Sequence, residues 1–105
     1  MLKRTHNCGE LNKNNLNNTV ILNGWVNKVR FHGQVVFVDL RDRYGKTQLV
    51  FNPETFPKEF EKIKKISMED VLSVCGDVQE RIANAINSDM KTGEIEVSVK
   101  EFQML

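Results

Sequence analysis

Cysteine is nearly absent from this chain. Cys8 and Cys75 lie far apart, and with only His6 and His32 to add, no CxxC or CxxH spacing exists. A zinc site is therefore not expected. Two isolated thiols are instead what a protein of a reducing compartment carries. Long apolar runs are missing too. The opening "MLKRTHNCGELNKNN" has basic residues with no hydrophobic stretch behind them, so it does not read as a secretory signal. Nothing approaches the roughly 20 apolar residues needed to cross a bilayer. The expected location is cytoplasmic. An excess of one charge is also lacking: 15 Lys and Arg face 14 Asp and Glu, for a net charge of +1. Any basic surface must come from local clustering. The signatures of catalysis are absent as well, with no nucleophile elbow, no P-loop and no GxGxxG after a strand. Catalysis is not expected within these residues, nor is a cofactor or a metal.

What remains is the profile of one folded domain. With 105 residues, 40% hydrophobic and 28% charged, residues 1–105 suit a single domain with a small but real core. After a polar, asparagine-rich segment with a short helical turn expected near Gly9 to Asn12, "TVILNGWVNKVRF" (19–31) reads as a strand by its β-branched and aromatic content. Gly24 suggests a bend or bulge within it, which leaves its inward parity open. "HG" turns the chain into a second strand, 34–42, and "RYG" into a third, 46–51. The period then changes. Phe56, Phe60, Ile63 and Ile66 are spaced as one face of a helix, with Pro57 suited to its first turn. Alternation returns at 70–81, with Leu72, Val74 and Val78 on one side. After a polar loop, 94–102 puts Ile95, Val97 and Val99 inward and Glu96, Ser98 and Lys100 outward. Three strands, a helix and two strands match a mainly β fold, a five-stranded Greek-key barrel of OB type. An SH3-like barrel and a split α+β sheet are the rivals, and the single helix between strands three and four favours OB.

One position breaks the simple pattern. In "QVVFVDLRDRYGKTQLVF" (34–51), Val36, Val38 and Leu40 share the inner face of the second strand. Val35, Phe37, Asp39 and Arg41 then face outward, and on the third strand so do Lys46, Gln48 and Val50. The outer face of these two strands is where OB barrels dock nucleic acids and sugars. A ring, an amide and several cations there are what an unpaired base needs: a surface to stack on, a group for its edge and charge for its phosphates. Taken singly, an outward Phe often fills a small cluster under a loop, and Gln48 is an ordinary polar residue. Their convergence on one face carries the functional reading.

"RTHNCGEL" (4–11), "GWVNKVR" (24–30), "VVFVDLRDRYGKTQLVF" (35–51) and "NSDMKTGEIEV" (87–97) together resemble the N-terminal anticodon-binding domain of bacterial-type aspartyl-tRNA synthetases. The resemblance implies an OB barrel that grips the anticodon loop of aspartate tRNA. It would be part of a class II ligase that activates aspartate with ATP and Mg2+ elsewhere in its chain, and that forms a homodimer. It further implies that Phe37 stacks on the middle uracil, Gln48 reads that base's edge, Glu96 accepts from the first base, a guanine, and Arg30 touches the loop. Lys28, His32, Arg81, Asn84 and Asn87 are further candidate contacts, and none is fixed as reader of the third base. A His at the place of His32 accompanies acceptance of asparagine tRNA in some family members, while a solvated turn histidine is the plain alternative. Departures also occur: Val50 stands where an aromatic is common, and arginine is sparser around 28–30 and at Gln79. A general single-strand binder and a protein- or sugar-binding OB module remain as competing functions.

Overall fold

The computed structural model describes residues 3–81 and 86–104. Five strands close into a barrel: β1 (Thr19–His32), β2 (Val35–Asp42), β3 (Gly45–Phe51), β4 (Val71–Glu80) and β5 (Ile95–Met104). Their order around the barrel is β1-β2-β3-β5-β4. All pairs are antiparallel except β3 with β5, which meet in parallel at Leu49–Val97 and Val50–Ser98 and complete the closure. This is the expected OB-type Greek key, with one helix, α1 (Phe60–Lys64), between β3 and β4.

The long first strand serves both sides of the barrel. Residues 19–25 pair with β4 and residues 25–32 pair with β2. Gly24 lies at this crossing, where a Cβ would collide with the carbonyl of Arg41. The bulge itself comes later: the register slips between Val26 and Lys28, leaving Asn27 unpaired and reversing the strand's in–out parity. Val20, Leu22 and Val26 point inward to meet Val36, Val38 and Leu40 of β2, all fully buried. Leu49, Leu72, Val74, Val97 and Val99 complete the barrel interior. One end is shut by three rings, with Phe102 edge-on to Phe51 at 5.6 Å and to Phe56 at 5.3 Å.

Two local expectations shift. The N-terminal helical turn is a 3-10 turn at Lys13–Asn15 rather than at 9–12. Asn12 caps it, accepting the N–H of Asn14 at 2.8 Å, while the Asn15 side chain accepts that of Asn12. Gly9 is taken up instead by a turn in which its N–H donates to the Asn7 side chain. Phe56, Ile63 and Ile66 of the stripe are buried and Phe60 partly so, but only residues 60–64 are helical. Asn52 starts a turn by accepting the N–H of Glu54 through its side chain and that of Thr55 through its carbonyl. Pro57 then disfavours the helical conformation at Phe56, so the helix begins only beyond it.

Candidate nucleic-acid interface

The outer face of β1, β2, β3 and β5 is built in rungs. Arg30, Phe37 and Val50 form one, Lys28, Asp39 and Gln48 the next, and Trp25, Arg41 and Lys46 the third. The alternation of β2 and β3 fixes these directions, because their inward partners fill the core. Glu96 sits beside Gln48 across the parallel β3–β5 pairing, and Gln79 faces Glu96 from β4. Phe37 and Gln48 therefore emerge on the same side, as the sequence pattern anticipates.

Phe37 is half-buried and belongs to no aromatic pair among the described residues. Gln48 departs from the simple picture of a wet strand residue, since only 5% of it is exposed. Arg30 donates from Nη2 to Gln48 Oε1 at 2.6 Å, and Gln48 Nε2 donates to Glu96 Oε1 at 3.0 Å. Asp39 grips the other side of the guanidinium, at 3.1 Å to Nη1 and 3.2 Å to Nη2. Gln79 Nε2 donates to Glu96 Oε2 at 2.8 Å. A continuous polar chain thus runs Asp39–Arg30–Gln48–Glu96–Gln79 across all five strands. In this chain each Gln48 amide atom and each carboxylate oxygen of Glu96 makes one hydrogen bond to a described residue, where each has the capacity for a second.

The other candidates divide by exposure. Lys28 and His32 are exposed, His32 closing β1 before a two-residue loop in which Gly33 adopts φ +62°. Arg81 is buried, with Nε donating to the Ile95 carbonyl at 2.9 Å. Burial pulls its guanidinium below the ordinary value, against the carboxylates of Asp39 and Glu96, which pull it up. Arg81 thus ties the end of β4 to the start of β5, its backbone N–H donating to the Glu94 carbonyl as well. Asn87 is exposed and turns that loop, its side chain accepting the N–H of Asp89. Asn84 lies outside the described residues.

Sequence reasoning passed over Asp39 as a partner of Arg30, Gln79 as a support for Glu96, and Trp25 as a second aromatic on this face, 37% exposed. Trp25 was hidden by the bulge at Asn27. Counting by twos back from Arg30 sends residue 25 to the wrong side. Among the described residues no three side chains of the metal-binding types converge. The described residues therefore do not fit the magnesium that accompanies ATP. Among the described residues no helix is long and apolar enough to cross a membrane.

The profile of the tRNA anticodon type of OB-fold nucleic-acid-binding domain matches residues 20–105. The chain belongs to this family. Over 99% of its length it is 48% identical to an aspartate–tRNA(Asp/Asn) ligase of Desulfatibacillum aliphaticivorans, of which it covers 17%. Among solved structures it resembles asparaginyl-tRNA synthetase from Pyrococcus horikoshii, with TM-score 0.83 and 27% identity over 100% of this chain and 23% of that one. It also resembles aspartyl-tRNA synthetase from Entamoeba histolytica, with TM-score 0.82 and 28% identity over 98% of this chain and 21% of that one. The chain therefore spans about a sixth of the length of the curated relatives it matches. In this anticodon-type OB domain, the rungs described above occupy the face of β2 and β3 on which OB folds hold oligonucleotides.

Proposed function

We propose that this chain binds the anticodon loop of aspartate tRNA and serves as the anticodon-reading part of an aspartate–tRNA ligase. In that ligase, aspartate is activated with ATP and transferred to the tRNA by residues outside this chain. The observation that carries the reading is the pairing of Phe37 and Gln48 on one outer face, a ring beside an amide already held in place. Phe37 offers a surface for the middle uracil, and base–aromatic stacking contributes ~1–3 kcal/mol whatever the base. The spare donor and acceptor of Gln48 match the uracil edge, which presents an N–H beside a carbonyl. The spare lone pairs of Glu96 suit the parallel N–H donors of guanine at the first position. Arg30, on the same face, would touch the loop as well as hold the amide.

Aspartate and asparagine anticodons differ only at the third base, which none of Phe37, Gln48 and Glu96 reads in this scheme. That agrees with relatives named for tRNA(Asp/Asn), and the chain is proposed to accept both loops. Titration with an aspartate anticodon stem-loop and with the same loop carrying a different middle base tests the proposal. The aspartate loop should bind at least tenfold tighter. Equal affinities would overturn the anticodon reading and favour a sequence-tolerant single-strand binder, which the outward Trp25 and the exposed Arg41 and Lys46 would suit.

A further inference from the structure

A primary amide does not by itself distinguish uracil from cytosine. With a pyrimidine stacked in one fixed pose, positions 4 and 3 of its edge present acceptor then donor in uracil, and donor then acceptor in cytosine. A glutamine amide free to turn over would pair with either. Discrimination requires that the amide be held in one orientation, and the polar chain on this face does that.

Gln48 Oε1 faces the guanidinium of Arg30, which can only donate, and Nε2 faces the carboxylate of Glu96, which as an anion can only accept. Turning the amide over would set Nε2 hydrogens against Arg30 and Oε1 against Glu96. Both hydrogen bonds would be lost, and like partners would be opposed in a site where Gln48 is 5% exposed. Each of the two jaws is itself held: Arg30 by a two-pronged contact with Asp39, and Glu96 by Gln79. Asp39 is 6% exposed and lies opposite Gln48 on the neighbouring strand, so it fixes Arg30 from beneath.

We propose that Asp39, acting through Arg30, is a positioning residue that locks the Gln48 amide in one orientation, and that this lock is what makes the site prefer uracil to cytosine. The inference rests on the assignment of Gln48 as the reader of the middle base. It adds Asp39, and on the opposite jaw Gln79, as determinants of specificity that touch no base.

The test compares binding of uracil-centred and cytosine-centred stem-loops by the wild type, Asp39→Asn and Gln79→Ala. Asp39→Asn keeps the shape but removes one prong and the charge that hold Arg30. The uracil preference should fall at least threefold, with the cytosine loop losing less affinity than the uracil loop or gaining some. Gln79→Ala, at an exposed position that does not threaten the barrel, should move the ratio the same way by a smaller factor. In the free protein, solvent exchange of the Gln48 Nε2 protons, read by NMR, should speed up in Asp39→Asn. A wild type with no uracil preference would overturn the assignment of Gln48 and the lock with it. A wild type that discriminates, with both variants keeping its ratio unchanged, would overturn the lock alone. Should Asp39→Asn fail to fold, the Gln79→Ala ratio decides between these outcomes.

Discussion

The carboxylate of Asp42 accepts the backbone N–H of Cys8 at 2.8 Å, joining residues 34 positions apart. Its other oxygen accepts the N–H groups of Tyr44 and Gly45, and Arg4 lies 3.8 Å away. One side chain thus shapes the β2–β3 turn and fastens the N-terminal segment against it. Thr47 reinforces the same clasp by donating its hydroxyl to the Cys8 carbonyl at 2.7 Å. Gly9 and Gly45 let the two segments close: a Cβ on Gly45 would stand 2.8 Å from the Gly9 Cα, and one on Gly9 would collide with the Tyr44 carbonyl. Cys8 and Gly9 near the start and Asp42, Tyr44 and Gly45 at the turn therefore serve architecture. They hold the far end of β2 and β3, while the side chains proposed to read bases sit further along.

Asp42→Ala should accordingly destabilise the fold without retuning recognition. It strips a charge-assisted partner from three N–H groups, and the loss should reach about 2–4 kcal/mol. Urea denaturation measures it. The preference among stem-loops should survive in the folded fraction. A stability change below about 0.5 kcal/mol would show that the clasp is ornamental.

Cys8 should set an alkaline limit on the stability of the fold. Burial pushes its thiol above the ordinary value of 9.0, and the Asp42 carboxylate pushes the same way. The folded chain keeps the proton that the unfolded chain releases, so this contribution is complete below pH 9 and falls as pH rises beyond it. Other groups titrate in that range, so the comparison that isolates the thiol is with Cys8→Ala. The stability advantage of the wild type over the variant should shrink by about 2 kcal/mol between pH 8 and pH 10.5. An advantage constant across that range would mean that the thiol ionises normally.

The barrel was legible in the sequence because most of its strands alternate cleanly and the connections among the first three are short. Val36, Val38 and Leu40 pointed to the core, and their neighbours Phe37 and Asp39 had to face away. Two kinds of information were not legible. Burial on the outer face was one: Gln48, Val50 and Asp39 point outward yet are at most 8% exposed. The partners that cover Gln48 come from β1 and β5, which are distant in sequence, and parity says nothing about which side chains from other strands will lean over a residue. The phase of β1 beyond Asn27 was the other, because a single unpaired residue exchanges the two faces, and Gly24 marked the region without giving the position. Helix length failed for a related reason. Phe56 is buried with helical spacing but reaches the core from a turn.

Phe37→Ala should weaken every stem-loop alike. The ring is half-buried, packs in no aromatic pair among the described residues and sits across from Arg30 and Val50, so truncation leaves no polar group unpaired. Stacking worth ~1–3 kcal/mol corresponds to a loss of roughly 5- to 150-fold for uracil- and cytosine-centred loops together. Thermal denaturation should move little. If the variant lost affinity for only one loop, the ring would be reading base identity rather than supplying a platform.

The cations of the third rung should control the salt dependence. Arg41 and Lys46 are exposed, face each other across β2 and β3, and form no ion pair among the described residues, unlike Arg30, which is committed to Asp39 and Gln48. With a net charge of only +1, the chain has little general attraction for RNA, so local cations must supply the grip on the phosphates. Each phosphate contact on a single strand contributes about −0.7 to the slope of log K against log salt concentration. Arg41→Ala and Lys46→Ala should therefore each flatten the slope by roughly that amount and weaken all loops equally. Arg30→Lys should behave differently, because a lysine cannot make the two-pronged contact with Asp39 while also reaching Gln48, so the loss should fall on selectivity. A flattened slope in Arg30→Lys, with unchanged slopes in the other two variants, would move the phosphate path to the first rung and away from Lys46.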